Sequence, residues 1–188
     1  MNKMNCDISA VLFDEHKIQT RIRELGLEIS NSYKDSTPVM VGILKGGFIF
    51  LADLVRSITI PVEVDFLAIS SYGNDANSSG IVKIRKDIDI DLSNRDVIIV
   101  EDIVDTGLSL EYIKDYIWQH KPASLKTCVL LDKPDAHKID VCFEYIGFSI
   151  KNEFVVGYGL DFAERYRNLP YIGILKENFN FSIIWPII

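Results

Sequence analysis

The sequence at residues 97–109 reads Val-Ile-Ile-Val-Glu-Asp-Ile-Val-Asp-Thr-Gly-Leu-Ser. Its four leading apolar residues predict a buried strand, and the adjacent acids Glu101 and Asp102 follow where that strand would end. A third acid and three small or polar residues form the next turn, before a helical pattern begins: Asp105, Thr106, Gly107 and Ser109. Because ligands of open α/β sheets bind beyond the carboxyl ends of the strands, this stretch predicts both a fold class and a site.

The turn and the three acids point to a phosphorylated sugar. A Gly/Ser/Thr turn that runs into a helix offers backbone N–H groups and the positive end of the helix dipole to a phosphate. Carboxylates beside it suit sugar hydroxyls and Mg²⁺, which takes oxygen ligands. A merely acidic turn between a strand and a helix is the alternative, and three acids next to a phosphate cradle disfavour it.

Composition indicates a globular protein with little affinity for polyanions. The 188 residues are 48% hydrophobic and 25% charged, and the formal net charge is −7. We therefore expect no nucleic-acid partner. No apolar run reaches transmembrane length and no signal-peptide pattern is present, which predicts no membrane partner and a cytoplasmic location. Cys128 and Cys142 lie in apolar runs and are predicted to be buried, reduced thiols.

Strand and helix patterns alternate along the chain. Asp14 can cap a helix whose apolar face repeats at helical spacing, and a second helix is predicted at 48–58 with Phe48, Leu51, Ala52 and Val55 on one face. Other strands are expected at 8–13, 39–44, 62–70, 125–131 and near 143–148, 154–158 and 171–175, with a helix at 108–120. Together they predict an α/β fold with a parallel central sheet flanked by helices.

A long hairpin interrupts this alternation. Residues 81–92 are predicted to form a strand with one wet face, because isoleucine and leucine alternate there with aspartate. The polar loop 71–80 that precedes it is either an untethered hairpin tip or a lid. Ser71 and Tyr72 would form the hinge of a lid, which could shield a reaction from water.

Two lysines follow buried strands. Lys45 precedes Gly46 on a tight turn where backbone can approach a ligand closely, although Lys-Gly-Gly alone is a weak signal. Lys133 follows the strand at 125–131. Most lysines are solvated, but one at this sheet edge could donate to a carbonyl oxygen and so reject a partner that also donates.

The C-terminal third carries a second candidate block at residues 154–170. Phe154 could stack on a planar base, and carbonyls of the strand that it begins could read the base's rim. Asp161 could help to hold Mg²⁺, and the planar fork of Arg167 could pair with pyrophosphate oxygens. Singly, Phe154 would more often be a core residue and Arg167 a surface charge.

In order along the chain, these blocks resemble the bacterial hypoxanthine-guanine phosphoribosyltransferases, within the type I phosphoribosyltransferase family, over roughly residues 8–176. The matching blocks are Leu44-Lys45-Gly46-Gly47, Ser71-Tyr72-Gly73, 101–107, Asp132-Lys133-Pro134, 154–161 and 165–170. The resemblance implies a single domain over 1–188. It also implies a hairpin flap, a cis Leu44–Lys45 peptide, and a small base-binding hood from the N-terminal segment and C-terminal region.

The resemblance further implies transfer of phosphoribose from 5-phosphoribosyl-1-pyrophosphate (PRPP) to N9 of hypoxanthine or guanine, with Mg²⁺ as cofactor. Asp105 would be the general base or acid at purine N7. Glu101 and Asp102 would hold the ribose hydroxyls directly or through Mg²⁺-bound water, with Asp161 as a further metal ligand. The remaining roles would be 5′-phosphate binding by Asp105, Thr106, Gly107 and Ser109, pyrophosphate binding by Lys45, Gly46 and Arg167, and base binding by Lys133, Phe154, Val155 and Asp161.

Three points stay open at this level. The base could instead be xanthine or a pyrimidine, because the purine 2-position would be read mainly by backbone. A non-catalytic regulator that senses PRPP or nucleotides and binds RNA would share the fold. The apolar segment after Lys176 must pack on its own domain or on a neighbour, and we expect a homodimer or homotetramer.

Overall fold

The computed structural model describes residues 3–71 and 82–176. Three α-helices and nine strands are labelled in chain order: β1 Ile8–Phe13, α1 Glu15–Ser32, β2 Val39–Leu44, α2 Phe48–Ser57, β3 Glu63–Ser71, β4 Val82–Lys86, β5 Asp96–Val104, α3 Leu108–Trp118, β6 Ser124–Asp132, β7 Tyr145–Ser149, β8 Val155–Val156 and β9 Ile172–Leu175. Short 3-10 helices cover Lys3–Asp7 and Pro134–Ala136. Over these two ranges, no helix combines the length and the apolar character that a membrane crossing requires.

A six-stranded sheet forms the centre, in the order β4-β3-β2-β5-β6-β7. All its pairings are parallel except β3 with β4, which is antiparallel. The predicted fold class, a parallel sheet with an antiparallel hairpin, is therefore confirmed. The carboxyl ends of β2, β3, β5 and β6 lie at one edge, where the sequence predicts the site.

Helices cover both faces of this sheet because its strands are apolar on both sides. Along β5, Ile98 and Val100 belong to the core that includes α1 and α2, while Val97 and Ile99 belong to the core that includes α3. Helix α1 begins as predicted, since the side chain of Asp14 accepts a hydrogen bond from the Lys17 N–H at 2.8 Å. Its predicted apolar face is fully buried: Ile18, Ile22, Leu25 and Ile29.

A second sheet, the hood sheet, joins the two ends of the described chain. It has three antiparallel strands in the order β1-β9-β8. Its strands come from the N-terminal segment and from the C-terminal region, as the hood was expected to.

The predicted face of α2 was wrong in part. Phe48 is 43% exposed and Ala52 is exposed, whereas Phe50, Leu51 and Leu54 are buried. Helix α2 is apolar almost all round, so its sequence could not say which side faces α1 and the sheet. Packing against those elements decided it.

The predicted strand at 81–92 was also too long, since β4 ends at Lys86. The carboxylate of Asp65 accepts hydrogen bonds from the N–H groups of Asp89 at 2.6 Å and Ile90 at 2.9 Å. A side chain thus takes backbone donors that a strand would have paired with a neighbour. The alternation in exposure persists without a strand, because the apolar residues at 88, 90 and 92 still turn inward.

The cysteine prediction was half right. Cys128 lies in β6 and is fully buried, and burial raises its pKa. Cys142 is exposed, because it lies in the irregular segment between β6 and β7 rather than in a strand. An apolar run in the sequence does not by itself produce a buried element.

Candidate active site

A cleft of about 740 Å³ opens where the strand ends of the central sheet meet the hood sheet. It brings together residues that are far apart in sequence. Nine residues with predicted roles line it: Lys45, Gly46, Asp102, Asp105, Lys133, Phe154, Val155, Asp161 and Arg167.

A smaller cavity of about 140 Å³ lies at the start of α3, and the turn between β5 and α3 lines it. Gly107 precedes the helix with φ +83°, a left-handed conformation that glycine adopts without strain. A Cβ there would lie 2.7 Å from Cγ1 of Val141, so only glycine fits. The four residues of the predicted phosphate cradle line this cavity together with Glu101: Asp105, Thr106, Gly107 and Ser109. Asp105 lines both cavities and therefore connects them.

Glu101 and Asp102 are neighbours in sequence but face different cavities. Asp102 lines the large cleft and Glu101 the small cavity, because successive residues of a strand point to opposite sides. Burial raises the pKa of the Glu101 carboxyl well above its usual range, and the charge of Asp102 adds to the effect. Its Oε2 is buried without a hydrogen-bond partner among the described residues.

The partners of the Asp102 carboxyl do not fully offset its burial. Burial raises its pKa to about 6, although the N–H groups of Asp102 and Ile103 and the charge of Arg167 oppose the rise. The carboxylate lies directly against Gly46, where an added Cβ would stand 1.7 Å from Asp102 Oδ2. Glycine at position 46 is thus what allows the turn and the acid to approach. The peptide before it, Leu44–Lys45, is cis, as the family resemblance implied.

The two predicted pyrophosphate cations meet around a residue that the sequence analysis missed. Glu164 Oε1 lies 2.9 Å from Lys45 Nζ, and its Oε2 lies 3.1 Å from Arg167 Nη2. Glu164 stands inside the quoted 154–170 block, but only the tertiary structure shows that it bridges the two cations. Arg85 of β4 also lines the cleft and had no sequence signal.

Arg167 is held from several sides. Its Nη2 lies 2.8 Å from Oδ1 of Asp161, and its Nη1 donates to the carbonyl of Gly159 at 2.8 Å. Its Nε is buried and has no hydrogen-bond partner within the described ranges. Asp161, predicted as a metal ligand, therefore contacts an arginine here, and it also accepts from the Glu164 N–H.

Lys133 is buried rather than solvated, with 6% exposure. Its ammonium lies 3.4 Å from Oδ2 of Asp105, which places the predicted base contact and the predicted proton-transfer group side by side. The backbone N–H of Lys133 donates a hydrogen bond to the backbone carbonyl of Val104 at 3.0 Å. The end of β6 is thereby fixed against the end of β5.

Phe154 is 56% exposed at the cleft, so it is not the core residue that it could have been. Its ring stands edge-on to Phe162, with centroids 5.6 Å apart and an interplanar angle of 86°. Val155 follows it in β8, which pairs with β9. Of the predicted lid, Ser71 ends β3 and Tyr72 lies outside the described residues, so the lid stays a prediction.

An acidic strand end beside a helix-borne phosphate cradle, with cations and an exposed aromatic ring across the cleft, defines an α/β protein that binds a phosphorylated sugar and a planar ring. Residues 10–163 match the model of the phosphoribosyl transferase domain. The chain belongs to this phosphoribosyltransferase family.

Three similar proteins are matched over nearly their full length. The hypoxanthine-guanine phosphoribosyltransferase of Bacillus subtilis is 49% identical over 173 residues, which cover 92% of this chain and 96% of the relative. A crystal structure of a hypoxanthine phosphoribosyltransferase from Staphylococcus aureus has a TM-score of 0.90 at 45% identity, covering 94% of this chain and 96% of that one. A hypoxanthine-guanine phosphoribosyltransferase structure from Bacillus anthracis has a TM-score of 0.86 at 47% identity, covering 90% and 99%.

Proposed function

We propose that this protein transfers the 5-phosphoribosyl group of PRPP to N9 of hypoxanthine or guanine, giving the nucleotide and pyrophosphate. The bond from N9 to ribose C1′ forms, and the bond from C1′ to the pyrophosphate oxygen breaks. The observation that carries the proposal is the position of Asp105, which joins the phosphate cavity to the cleft that holds Lys133 and Phe154. A group at that junction can touch both the sugar and the base.

The 5′-phosphate would bind in the small cavity. The first backbone N–H groups of α3 have no partners within their own helix, and the helix dipole adds positive potential there. Thr106 and Ser109 supply hydroxyl groups in the same cavity. This leaves the ribose between the cradle and the carboxyls of β5.

The base would lie between Phe154 and Lys133. Offset stacking on the exposed Phe154 ring suits any purine. The Lys133 ammonium can donate to O6 of a 6-oxopurine, whereas adenine presents a donor at that position. Such a site penalises a partner that also donates. The Val155 carbonyl would accept from the ring or from the 2-amino group of guanine.

Asp105 would exchange the proton at purine N7. Its carboxyl is 53% exposed within the cleft, and Lys133 is its charged neighbour. One positioned acid–base group contributes about 10²–10⁴-fold to such a step. The same carboxylate can stabilise positive charge on the ribose as pyrophosphate leaves.

Pyrophosphate would be held by Lys45, the Gly46 amide and Arg167. The buried, unpaired Nε of Arg167 is a donor that an anion could satisfy. Pyrophosphate would displace Glu164 from between the two cations. Because the pair of Glu164 with Lys45 is exposed, breaking it costs little free energy.

The carboxyls at the end of β5 also suit Mg²⁺: Asp102 and Asp161 would offer oxygen ligands in the large cleft, and Glu101 in the small cavity. An orphaned carboxylate oxygen and two carboxyls with raised pKa favour a nearby cation. Among residues 3–71 and 82–176, no three His, Cys, Asp or Glu side chains close into a metal cage. Mg²⁺ typically uses one or two carboxylates and completes its shell with water and substrate phosphates. When bound, the ion would neutralise the charge that develops on pyrophosphate.

The test is PRPP-dependent nucleotide formation with Mg²⁺, run in parallel on hypoxanthine, guanine, xanthine, adenine and uracil. We expect turnover of hypoxanthine or guanine and none of adenine. Preferential use of xanthine or uracil would contradict the assigned base. No turnover of any of the five bases, with PRPP still bound, would favour the non-catalytic regulator. An RNA titration at two salt concentrations would then test whether the protein binds RNA. Mg²⁺ replaced by a chelator should abolish turnover.

We also propose that the protein acts in the cytoplasm as a homodimer or homotetramer. Support comes from the absence of any apolar run of transmembrane length in the sequence and from the apolar segment that ends it. Size-exclusion chromatography with light scattering would give the oligomeric state, and a monomer would contradict the second statement.

A further inference from the structure

We propose that Asp53, which lies on α2 outside the cleft, is a positioning residue that sets the spacing of the two pyrophosphate cations by holding Tyr158. The inference rests on the proposed function, because it deepens the account of the same site. Two segments carry it: the lysine turn, residues 45–47, and the hood loop, residues 157–159.

The hood loop has an unusual backbone. Gly157, Tyr158 and Gly159 all have positive φ, at 99°, 51° and 100°. Tyr158 is the one member with a side chain, and a non-glycine residue in this region is held there by its surroundings. What holds Tyr158 should therefore also hold the loop.

The Tyr158 side chain points away from the cleft to α2. It is 4% exposed, and its hydroxyl donates a hydrogen bond to Oδ2 of Asp53. The same oxygen accepts from Nε2 of Gln19 on α1 at 2.6 Å, and Arg56 pairs with the other carboxylate oxygen. Burial and the hydrogen bond to Asp53 raise the pKa of Tyr158, so it remains a donor at any working pH.

The backbone of the hood loop holds one cation. The carbonyl of Gly159 accepts from Arg167 Nη1 at 2.8 Å, and the Gly159 N–H donates to the carbonyl of Arg167 at 2.9 Å. The Tyr158 N–H donates to the carbonyl of Leu169 at 2.9 Å. A shift of the loop would therefore carry Arg167 with it.

The same loop touches the lysine turn. A Cβ added at Gly159 would lie 2.2 Å from the carbonyl oxygen of Gly46, so the two backbones are in close contact. Helix α2 begins directly after this turn, and its residue Asp53 reaches back to Tyr158. Turn, helix and hood loop therefore form a closed circuit of contacts: the turn leads into α2, α2 contacts the loop, and the loop contacts the turn. The hydrogen bond from Tyr158 to Asp53 is the side-chain contact in this circuit.

Tyr158→Phe removes only the linking hydroxyl. A hydrogen bond to a charged acceptor is strong enough that we expect the KM for PRPP to rise roughly tenfold. The kcat and the KM for hypoxanthine should stay within about twofold, because Asp105, Lys133 and Phe154 take no part in these contacts between turn, helix and loop. The matched control is Tyr116→Phe, which removes a tyrosine hydroxyl that donates to Asp87 at 2.6 Å on the far side of α3. This control should leave every constant unchanged.

Asp53→Ala gives an independent approach if Tyr158→Phe folds poorly, because alanine offers the Tyr158 hydroxyl no acceptor. It should raise the KM for PRPP in the same way. The double variant should be no more impaired than the more impaired single variant, since both changes remove the same hydrogen bond. A loss shared equally by PRPP and hypoxanthine, or a fall in kcat alone, would show a merely structural role and overturn the inference.

Calorimetric titration with pyrophosphate and Mg²⁺ separates this inference from the proposed function. If the wild-type protein makes no nucleotide but Tyr158→Phe binds pyrophosphate about tenfold more weakly, the function fails and the positioning role stands. If the wild-type protein turns over and Tyr158→Phe behaves like Tyr116→Phe in both assays, the function stands and the positioning role fails.

Discussion

The two sides of the cleft treat charge in opposite ways. On the acidic side, Asp102 is buried and Glu101 is half-buried. The pKa values of both carboxyls are raised, and one Glu101 oxygen has no partner among the described residues. On the cationic side, Lys45 and Arg167 are already neutralised by Glu164 and Asp161. The acidic side thus lacks a cation, whereas both cations of the opposite side already have acidic partners, and only the Arg167 Nε lacks a hydrogen-bond partner among the described residues.

This difference indicates which side of the cleft contributes more to the free energy of ligand binding. Uncompensated buried carboxyls cost stability, so a ligand that brings positive charge or hydroxyl donors recovers that cost. Exposed ion pairs cost little and yield little, so exchanging Glu164 for pyrophosphate changes the free energy of binding only modestly. Four variants test the comparison, in descending order of expected effect.

Asp105→Asn should give the largest effect, because it removes the group at the junction of both cavities. We expect kcat to fall about 10²–10⁴-fold while nucleotide affinity changes little. Steady-state kinetics and a fluorescence titration measure the two quantities. Asp115→Asn, the same change at an exposed position of α3, is the control. An affinity loss as large as the loss of turnover would refute the acid–base role.

Glu101→Gln should stabilise the free protein and impair its activity. The substitution removes the cost of desolvating the ionised Glu101 carboxyl, about 1–3 kcal/mol, which raises the midpoint of thermal unfolding by about 2–4 °C per kcal/mol for a chain of this size. Differential scanning calorimetry without ligand would measure this. Asp35→Asn, at an exposed acid, should leave the midpoint unchanged. A lower midpoint for Glu101→Gln would mean that the acidic side is compensated after all.

Asp65 provides the opposite case, a buried carboxylate with partners. Burial alone would raise its pKa, but N–H donors from Ile90, Phe66 and Asp89 and the Lys86 ammonium outweigh it and lower the pKa. Its contribution to stability is therefore present above the unfolded-state pKa and is lost as the pH falls through the lower folded-state value.

Asp65→Asn should accordingly destabilise the protein by about 1–3 kcal/mol at pH 7. The deficit should shrink as the pH falls below about 4, because the unfolded wild-type chain then binds a proton at Asp65 that the folded chain does not yet bind. Urea unfolding at pH 7, 5 and 3 would follow it, with Asp35→Asn for reference. A deficit that does not change with pH would exclude the carboxylate charge as its origin.

Glu164→Gln should give the smallest effect. Without the bridging charge, Lys45 and Arg167 bind an incoming pyrophosphate group more readily, and we expect the KM for PRPP to fall about twofold. Glu24→Gln breaks a comparable exposed pair with Arg21 on α1 and should not alter the kinetics. A rise in KM for Glu164→Gln alone would show that Glu164 assists binding rather than competing with it.

On the acidic side, the strand, turn and helix at 97–109 are contiguous, so local pattern sufficed to predict these elements. The phosphate and proton-transfer roles given to the turn stay predictions. On the cationic side, the sequence prediction left out one acid and one arginine of the cleft. Glu164 carried no signal because its bridge to Lys45 joins residues 119 positions apart in sequence. Arg85 carried none because it reaches the cleft only through the pairing of β4 with β3. The predicted loop at 71–80, apart from Ser71, and the segment after Lys176 lie outside the described residues.

The errors have one physical origin. The face of α2, the end of β4 and the exposure of Cys142 all depend on what packs against a segment or takes its backbone donors. The carboxylate of Asp65 ends β4 from a distance of more than 20 residues, which no local propensity encodes.

By itself, the sequence determined the order of strands and helices, the apolar face of α1, and the acidic turn between β5 and α3, because each depends on spacing within a few turns of chain. Only the tertiary structure decided which carboxyls lack partners, which acid bridges Lys45 and Arg167, and that Asp53 holds Tyr158. Those properties arise from burial and from contacts between distant segments, and they set the charge balance of the cleft.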